Sequence, residues 1–221
     1  MNQTQFLRRR LLGLGAASVG ALVLGRAAVA QDKKTPVAKT DPMMAAQTPQ
    51  TPAMTMTASA SDTAILASAL GVEQVQAAFY SQVLGAHTRR AYLGEPALAA
   101  VTMMASHEAA HVQTLSDALT ALNANVPVAP TFKFPYTAFV SPIGMAWLGY
   151  SLEEIAIGSH LDALERLESR PLRQAVATIM GADSAQAAML RTLSGFQFSP
   201  RYFEAKLSPS QVDSLLAAYR G

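Results

Sequence analysis

The 221-residue chain contains no cysteine. That absence excludes disulfide frameworks, thiolate zinc sites, iron–sulfur clusters and cysteine nucleophiles. It also lacks any stripe of lysine and arginine, so nothing points to a nucleic-acid partner. The formal charge of +2 arises from the first thirty residues. Without Arg8, Arg9, Arg10 and Arg26, 13 basic residues face 15 acidic ones, and the remainder is mildly acidic. No apolar run reaches the ~20 residues of a membrane-spanning helix. No segment shows the alternation of a strand.

What is present falls into four stretches. Residues 1–30 read as an export signal: a basic cluster, Arg8 to Arg10, precedes the apolar run Leu11–Leu24. Ala28-Val29-Ala30 then offers a small-residue cleavage site. Arg9-Arg10-Leu11-Leu12 permits a twin-arginine signal, hence export in the folded state; the alternative is ordinary secretion of an unfolded chain. Either route places the mature protein in the periplasm or outside the cell. Residues 31–61, rich in Thr, Pro, Ala, Gln and Met without apolar period, read as a disordered spacer. Its Met43, Met44, Met54 and Met56 are soft donors of the type that suits Cu(I), though methionine is also ordinary in such tails.

From Asp62 the texture becomes helical. The first helix is predicted from Asp62, as its N-cap, to about Arg90, with Ile65, Leu66, Ala69, Val72, Phe79 and Val83 on one stripe. Gln76 interrupts that stripe and is placed at its edge. After Gly94 and Pro96 a second helix covers about 96–123. Residues 124–142 hold four prolines and are not helical; extended, they reach up to ~60 Å, the length of a bundle. A third helix (142–168) and a fourth (171–195) follow, separated by Ser169-Arg170-Pro171. Residues 197–221 form an extension, in which Ser208-Pro209-Ser210-Gln211 opens a short helix with a capping box. Two hairpins of long helices joined by one long crossover give an all-α, four-helix bundle over 62–196.

Carboxylates and imidazoles fall at matching heights in that bundle. At ~1.5 Å per residue, Glu73 lies roughly 30 Å before the first turn, and Glu108 and His111 roughly 20–25 Å after it. Glu153 lies roughly 25 Å before the second break, and Asp183 and Gln186 roughly 20–24 Å after it. Glu108 and His111, three residues apart, share a helix face with Met104, Leu115 and Leu119, so they should point inward. One carboxylate from each of two helices and a carboxylate-x-x-His from each of the others is the dinuclear iron or manganese arrangement. Hard carboxylates bridge and neutralise divalent ions, and imidazoles complete the coordination.

The chain at this point resembles bacterial secreted ferritin-like domain proteins, related to plant desiccation-associated proteins. The resemblance covers about 62–196. It rests on Gly71-Val72-Glu73 leading to Ala78-Phe79-Tyr80, on Glu108-Ala109-Ala110-His111-Val112, on Leu152-Glu153-Glu154, and on Asp183 to Gln186 before Ala187-Ala188-Met189-Leu190-Arg191. It implies the ferritin-like bundle with its crossover between helices 2 and 3, and metal ligation by Glu73, Glu108, His111, Glu153 and Asp183. It also implies oxidase or peroxide-consuming activity. The family's fourth-helix motif is Glu-x-x-His; here Asp183 stands for the glutamate, one methylene shorter, and Gln186 for the histidine. A glutamine amide is a poor ligand for iron, so a metal-free structural or stress-related envelope protein is the alternative. Metal ions are the expected partners, together with a homodimer.

Other residues carry plainer expectations. His160, two turns beyond Glu153 on nearly the same face, is read as a core histidine, with replacement of the missing imidazole as the alternative. His107 is placed on the helix flank, His87 in solvent, Glu154 outward, and Trp147, Tyr80 and Tyr150 in core packing. His107-Glu108-Ala109-Ala110-His111 also spells the helix motif of zinc peptidases. No G-x-x-H continuation or strand-rich domain accompanies it.

Overall fold

The computed structural model describes residues 59–195 and 205–221. The export signal, nearly all of the spacer with its four methionines, and residues 196–204 lie outside them.

Four long helices form as the breakers dictate: α1 (Ala60–Arg90), α2 (Glu95–Ala121), α3 (Pro142–Arg166) and α4 (Arg170–Leu193). A short helix α5 (Pro209–Leu216) follows, and 3₁₀ turns occupy Tyr136–Phe139 and Ala217–Tyr219. α2, α3, α4 and α5 each carry proline in the first turn, where its missing N–H costs nothing. The capping box at Ser208 and Gln211 forms as predicted. Among the described residues no strand forms; an isolated bridge pairs Phe132 with Arg220. No helix among these residues is long and apolar enough to cross a membrane.

Three local expectations are corrected. Ser59, not Asp62, caps α1, its hydroxyl accepting from the Asp62 amide at 3.3 Å. The Asp62 carboxylate is fully buried and accepts instead from the amides of Glu168 (2.8 Å) and Ser169 (3.1 Å). It therefore pins the start of α1 to the turn between α3 and α4. His87 is half-buried rather than solvated: its Nδ1 accepts from the Leu93 amide at 3.1 Å and closes the α1–α2 turn. Gln76 is not at the edge of its stripe but fully buried.

The crossover is stitched to α1 through glutamines. Gln74 donates to the carbonyl of Pro127 (2.8 Å) and Gln82 to that of Phe132 (3.1 Å). Its far half meets the C-terminus, where Lys133 and Gly221 donate backbone hydrogen bonds to Tyr219 and Thr131.

The apolar interior comes in two clusters. One holds Leu66, Leu70, Leu115, Leu119, Leu167, Leu172 and Ile179; the other holds Phe79, Met104, Leu152, Leu190 and the aromatic side of the crossover. On every long helix the buried polar residues, Asp62 apart, fall between members of the two clusters. Glu73 and Gln76 come between Leu70 and Phe79, and Glu108 and His111 between Met104 and Leu115. A polar layer thus crosses the bundle with apolar packing above and below, which keeps water out and raises the cost of any unpaired charge.

Candidate metal centre

Each helix delivers its polar residues to this layer by periodicity alone. Glu73, Gln76 and Tyr80 are spaced i, i+3, i+7 on α1; Glu108 and His111 are i, i+3 on α2; Glu153 and His160 are i, i+7 on α3; Asp183 and Gln186 are i, i+3 on α4. All are buried, and His111 is the most exposed at 9%.

Four of them converge. One ligand atom from each of Glu73, Glu108, His111 and Asp183 lies within 4.8 Å of every other. His111 Nδ1 sits 3.0 Å from Glu73 Oε2, 3.5 Å from Glu108 Oε2 and 3.5 Å from Asp183 Oδ1. His160 Nε2 lies on the other side of the same carboxylates, 2.7 Å from Glu73 Oε1 and 3.3 Å from Asp183 Oδ2. Glu73 and Asp183 each therefore turn one oxygen to His111 and the other to His160.

Glu153, expected among the ligands, lies in the layer but outside the converging four. Its Oε2 accepts from Gln76 Nε2 at 2.6 Å, and its Oε1 accepts from the Tyr80 hydroxyl. Gln186, the residue in the place of the family's second histidine, donates from Nε2 to Glu108 Oε1 at 2.6 Å.

Several buried polar atoms have no hydrogen-bond partner: Glu108 Oε2, both oxygens of Asp183, His160 Nδ1, and the amide oxygens of Gln76 and Gln186. Native interiors carry few such atoms, because each forfeits its hydration without return. Three of them are carboxylate oxygens: Glu108 Oε2 and Asp183 Oδ1 face His111 Nδ1, and Asp183 Oδ2 faces His160 Nε2. Hard oxygen donors with one imidazole are a set that suits a divalent cation, so the residues fit a metal ion.

The electrostatics agree. Burial works against the charge on Glu73, yet hydrogen bonds to His111 and His160 hold its carboxyl down at about 2. Burial pushes Glu108 up to about 8, with the charge on Glu73 adding to it. Asp183 is raised by burial to about 6 against the pull of His160. Burial raises Glu153 well above the carboxylate range, and the charges on Glu108 and Asp183 reinforce it. Burial would lower both imidazoles, but the carboxylates prevail and lift His111 to about 10 and His160 to about 9. The layer thus keeps protons that a cation would displace.

Gln76 and Tyr80 are members of this layer that the sequence does not assign to it, and His160 is one that it offers only as the alternative to a core histidine. Their spacing from Glu153 and Glu73 was the available signal. His107 is half-buried, its ring centroid 6.5 Å from that of His111, and it does not join the converging group. Of the two histidines in a zinc-peptidase motif, only His111 faces the carboxylates.

Comparison with known proteins bears on the fold. The family model for the ferritin-like domain matches residues 61–195. No curated protein matches the chain. A crystal structure of a conserved hypothetical protein from Mycobacterium tuberculosis superposes with a TM-score of 0.54 at 18% identity. The match covers 62% of this chain and 99% of that one. At that identity the likeness concerns the fold alone.

Proposed function

The chain belongs to the ferritin-like domain family, and from that premise we propose that it binds iron or manganese through Glu73, Glu108, His111 and Asp183. One observation carries the reading: Glu108 Oε2 and Asp183 Oδ1 beside His111 Nδ1, and Asp183 Oδ2 beside His160 Nε2, are buried carboxylate oxygens that accept no hydrogen bond. Isolated carboxylates are not left dry in a core unless a proton or a cation compensates them.

The metal, when bound, supplies divalent–trivalent redox chemistry toward oxygen or peroxide. The protein's part is to hold and insulate it. Glu73 and Asp183 are oriented from both sides by His111 and His160. The apolar clusters on either side of the layer keep water from competing for the carboxylates. The 9% exposure of His111 marks the thinnest wall of the site, and small molecules would enter there. Export through the signal at residues 1–30 completes the proposal and rests on the sequence.

A second reading has its own support. Glu108 Oε1 and both Glu153 oxygens are satisfied by side-chain donors without any metal, as in a bundle kept as a scaffold. Metal analysis of the mature protein purified from its native compartment separates the two. Bound iron or manganese that is lost in His111→Ala supports the metal protein. Metal-free protein with the same melting curve in chelator supports the scaffold.

A further inference from the structure

Building on the metal reading, we propose that the centre holds a single ion, on the Glu73–His111 side, and that Gln76, Tyr80 and Gln186 form a hydrogen-bond lock closing the position of a second. A dinuclear layer requires the carboxylates of all four helices, and an imidazole from each Glu-x-x-His, to keep lone pairs for two cations. On one side of this layer the lone pairs are already committed. Gln186 Nε2 donates to Glu108 Oε1 at 2.6 Å, and Gln76 Nε2 donates to Glu153 Oε2 at 2.6 Å. Tyr80 donates its hydroxyl to Glu153 Oε1. In each bond the glutamine presents its NH₂ and the glutamate oxygen accepts. An N–H or O–H dipole aimed at a carboxylate places positive charge where a cation would otherwise sit, and it repels that cation.

The free lone pairs lie on the other side. Glu108 Oε2 and both Asp183 oxygens accept no hydrogen bond; Glu108 Oε2 and Asp183 Oδ1 face His111 Nδ1 together with Glu73 Oε2, while Asp183 Oδ2 faces His160 Nε2. Glu108 is therefore divided, one oxygen in the lock and one at the metal. Glu153 belongs wholly to the lock. Gln186 acts as a built replacement for a metal-binding histidine: its amide supplies to Glu108 the positive end of a dipole in place of a second metal ion.

Anaerobic titration of the metal-free mature protein with Fe(II), and separately with Mn(II), tests this by calorimetry and by metal analysis after desalting. One equivalent per chain is expected. Glu153→Gln should keep that equivalent with affinity within about threefold of the parent, because its oxygens are outside the coordination. Asp183→Asn and Glu73→Gln should each weaken it at least tenfold. Gln186→His combined with Tyr80→Phe should admit a second equivalent. After oxidation, the iron-loaded parent should show no tyrosinate-to-iron absorption in the visible, since Tyr80 stays bonded to Glu153; this readout needs no variant to fold. Two equivalents in the parent, or a Glu153→Gln loss as large as that of Glu73→Gln, would overturn the single-ion centre and leave metal binding standing. No metal uptake at all would overturn metal binding itself, and the single ion with it.

Discussion

His160 on α3 donates to Glu73 on α1 across 2.7 Å, deep in the polar layer and fully buried. The acceptor is the Glu73 oxygen that does not face His111, so the bond fixes the carboxylate plane and presents Oε2 to the site. His160 is thus a positioning residue. His160→Gln, which can keep an N–H toward Glu73, should retain most of the metal affinity. His160→Leu should lower it by roughly 10–100-fold, the usual cost of removing a residue that orients a ligand. It should also destabilise the metal-free bundle by about 1–3 kcal/mol, because Glu73 loses a buried donor. Metal titration and urea unfolding of both variants check the two effects. Equal losses in both variants would instead make His160 a direct ligand.

Asp62 does for the fold what His160 does for the site. Its carboxylate, completely buried, receives the amides of Glu168 and Ser169 more than a hundred residues away. Both amides belong to the tight turn that opens α4 and would otherwise have no helical acceptor. Asp62→Ala should cost about 1–3 kcal/mol by orphaning them. Hydrogen exchange should show the loss first at residues 167–173, ahead of the α1 N-terminus that Ser59 caps. An effect confined to α1 would contradict this assignment.

These two residues show what the sequence could and could not convey. Helix boundaries were legible to within a few residues because Gly94, Pro96, Pro142 and Pro171 punctuate the chain, and heights along the helices could be counted from those breaks. Asp62 reads as a cap because a helix start is a local pattern. Its true partners are set by tertiary folding, which no spacing records. Gln76 reads as an edge residue because an amide on an apolar stripe is ordinarily expelled to water; its bond to the buried Glu153 retains it. His160 is the subtler case. The i, i+7 relation to Glu153 was visible, but the carboxylates it meets come from α1 and α4. That pairing depends on the rotation of each helix in the bundle.

The C-terminal segment supplies a prediction about packing. Leu207 donates its amide to the Gly158 carbonyl at 2.9 Å, crossing α3 where that helix has no side chain. A Cβ at position 158 would meet the Ala205 carbonyl oxygen and Leu207 Cγ, each at 2.7 Å. Gly158→Ala should therefore destabilise the protein by about 1–3 kcal/mol, the range for overpacking, and should make the segment after residue 204 more sensitive to protease. Gly71→Ala is the control: its Cβ would meet nothing within 4 Å. There alanine should stabilise α1 by about 0.5–1 kcal/mol through helix propensity alone. Opposite shifts of the two unfolding midpoints check the contrast, and a stabilised Gly158→Ala would refute the close crossing.

Metal removal tests the energetics of the whole layer. An ion bound only by the folded state adds RT ln(1 + [L]/Kd), about 2.7 kcal/mol when the free metal is a hundredfold above Kd. The midpoint of unfolding should rise with added Mn(II) and fall back in chelator. The fall should stop short of collapse, because the Gln76–Glu153, Tyr80–Glu153 and Gln186–Glu108 bonds remain in the metal-free protein. Gln186→Leu removes one of these and leaves Glu108 Oε1 buried without a donor. It should therefore unfold about 1–3 kcal/mol more easily without metal, and it should gain more from added Mn(II) than the parent does. A parent that loses its helical circular dichroism in chelator would show instead that the layer depends on the ion throughout.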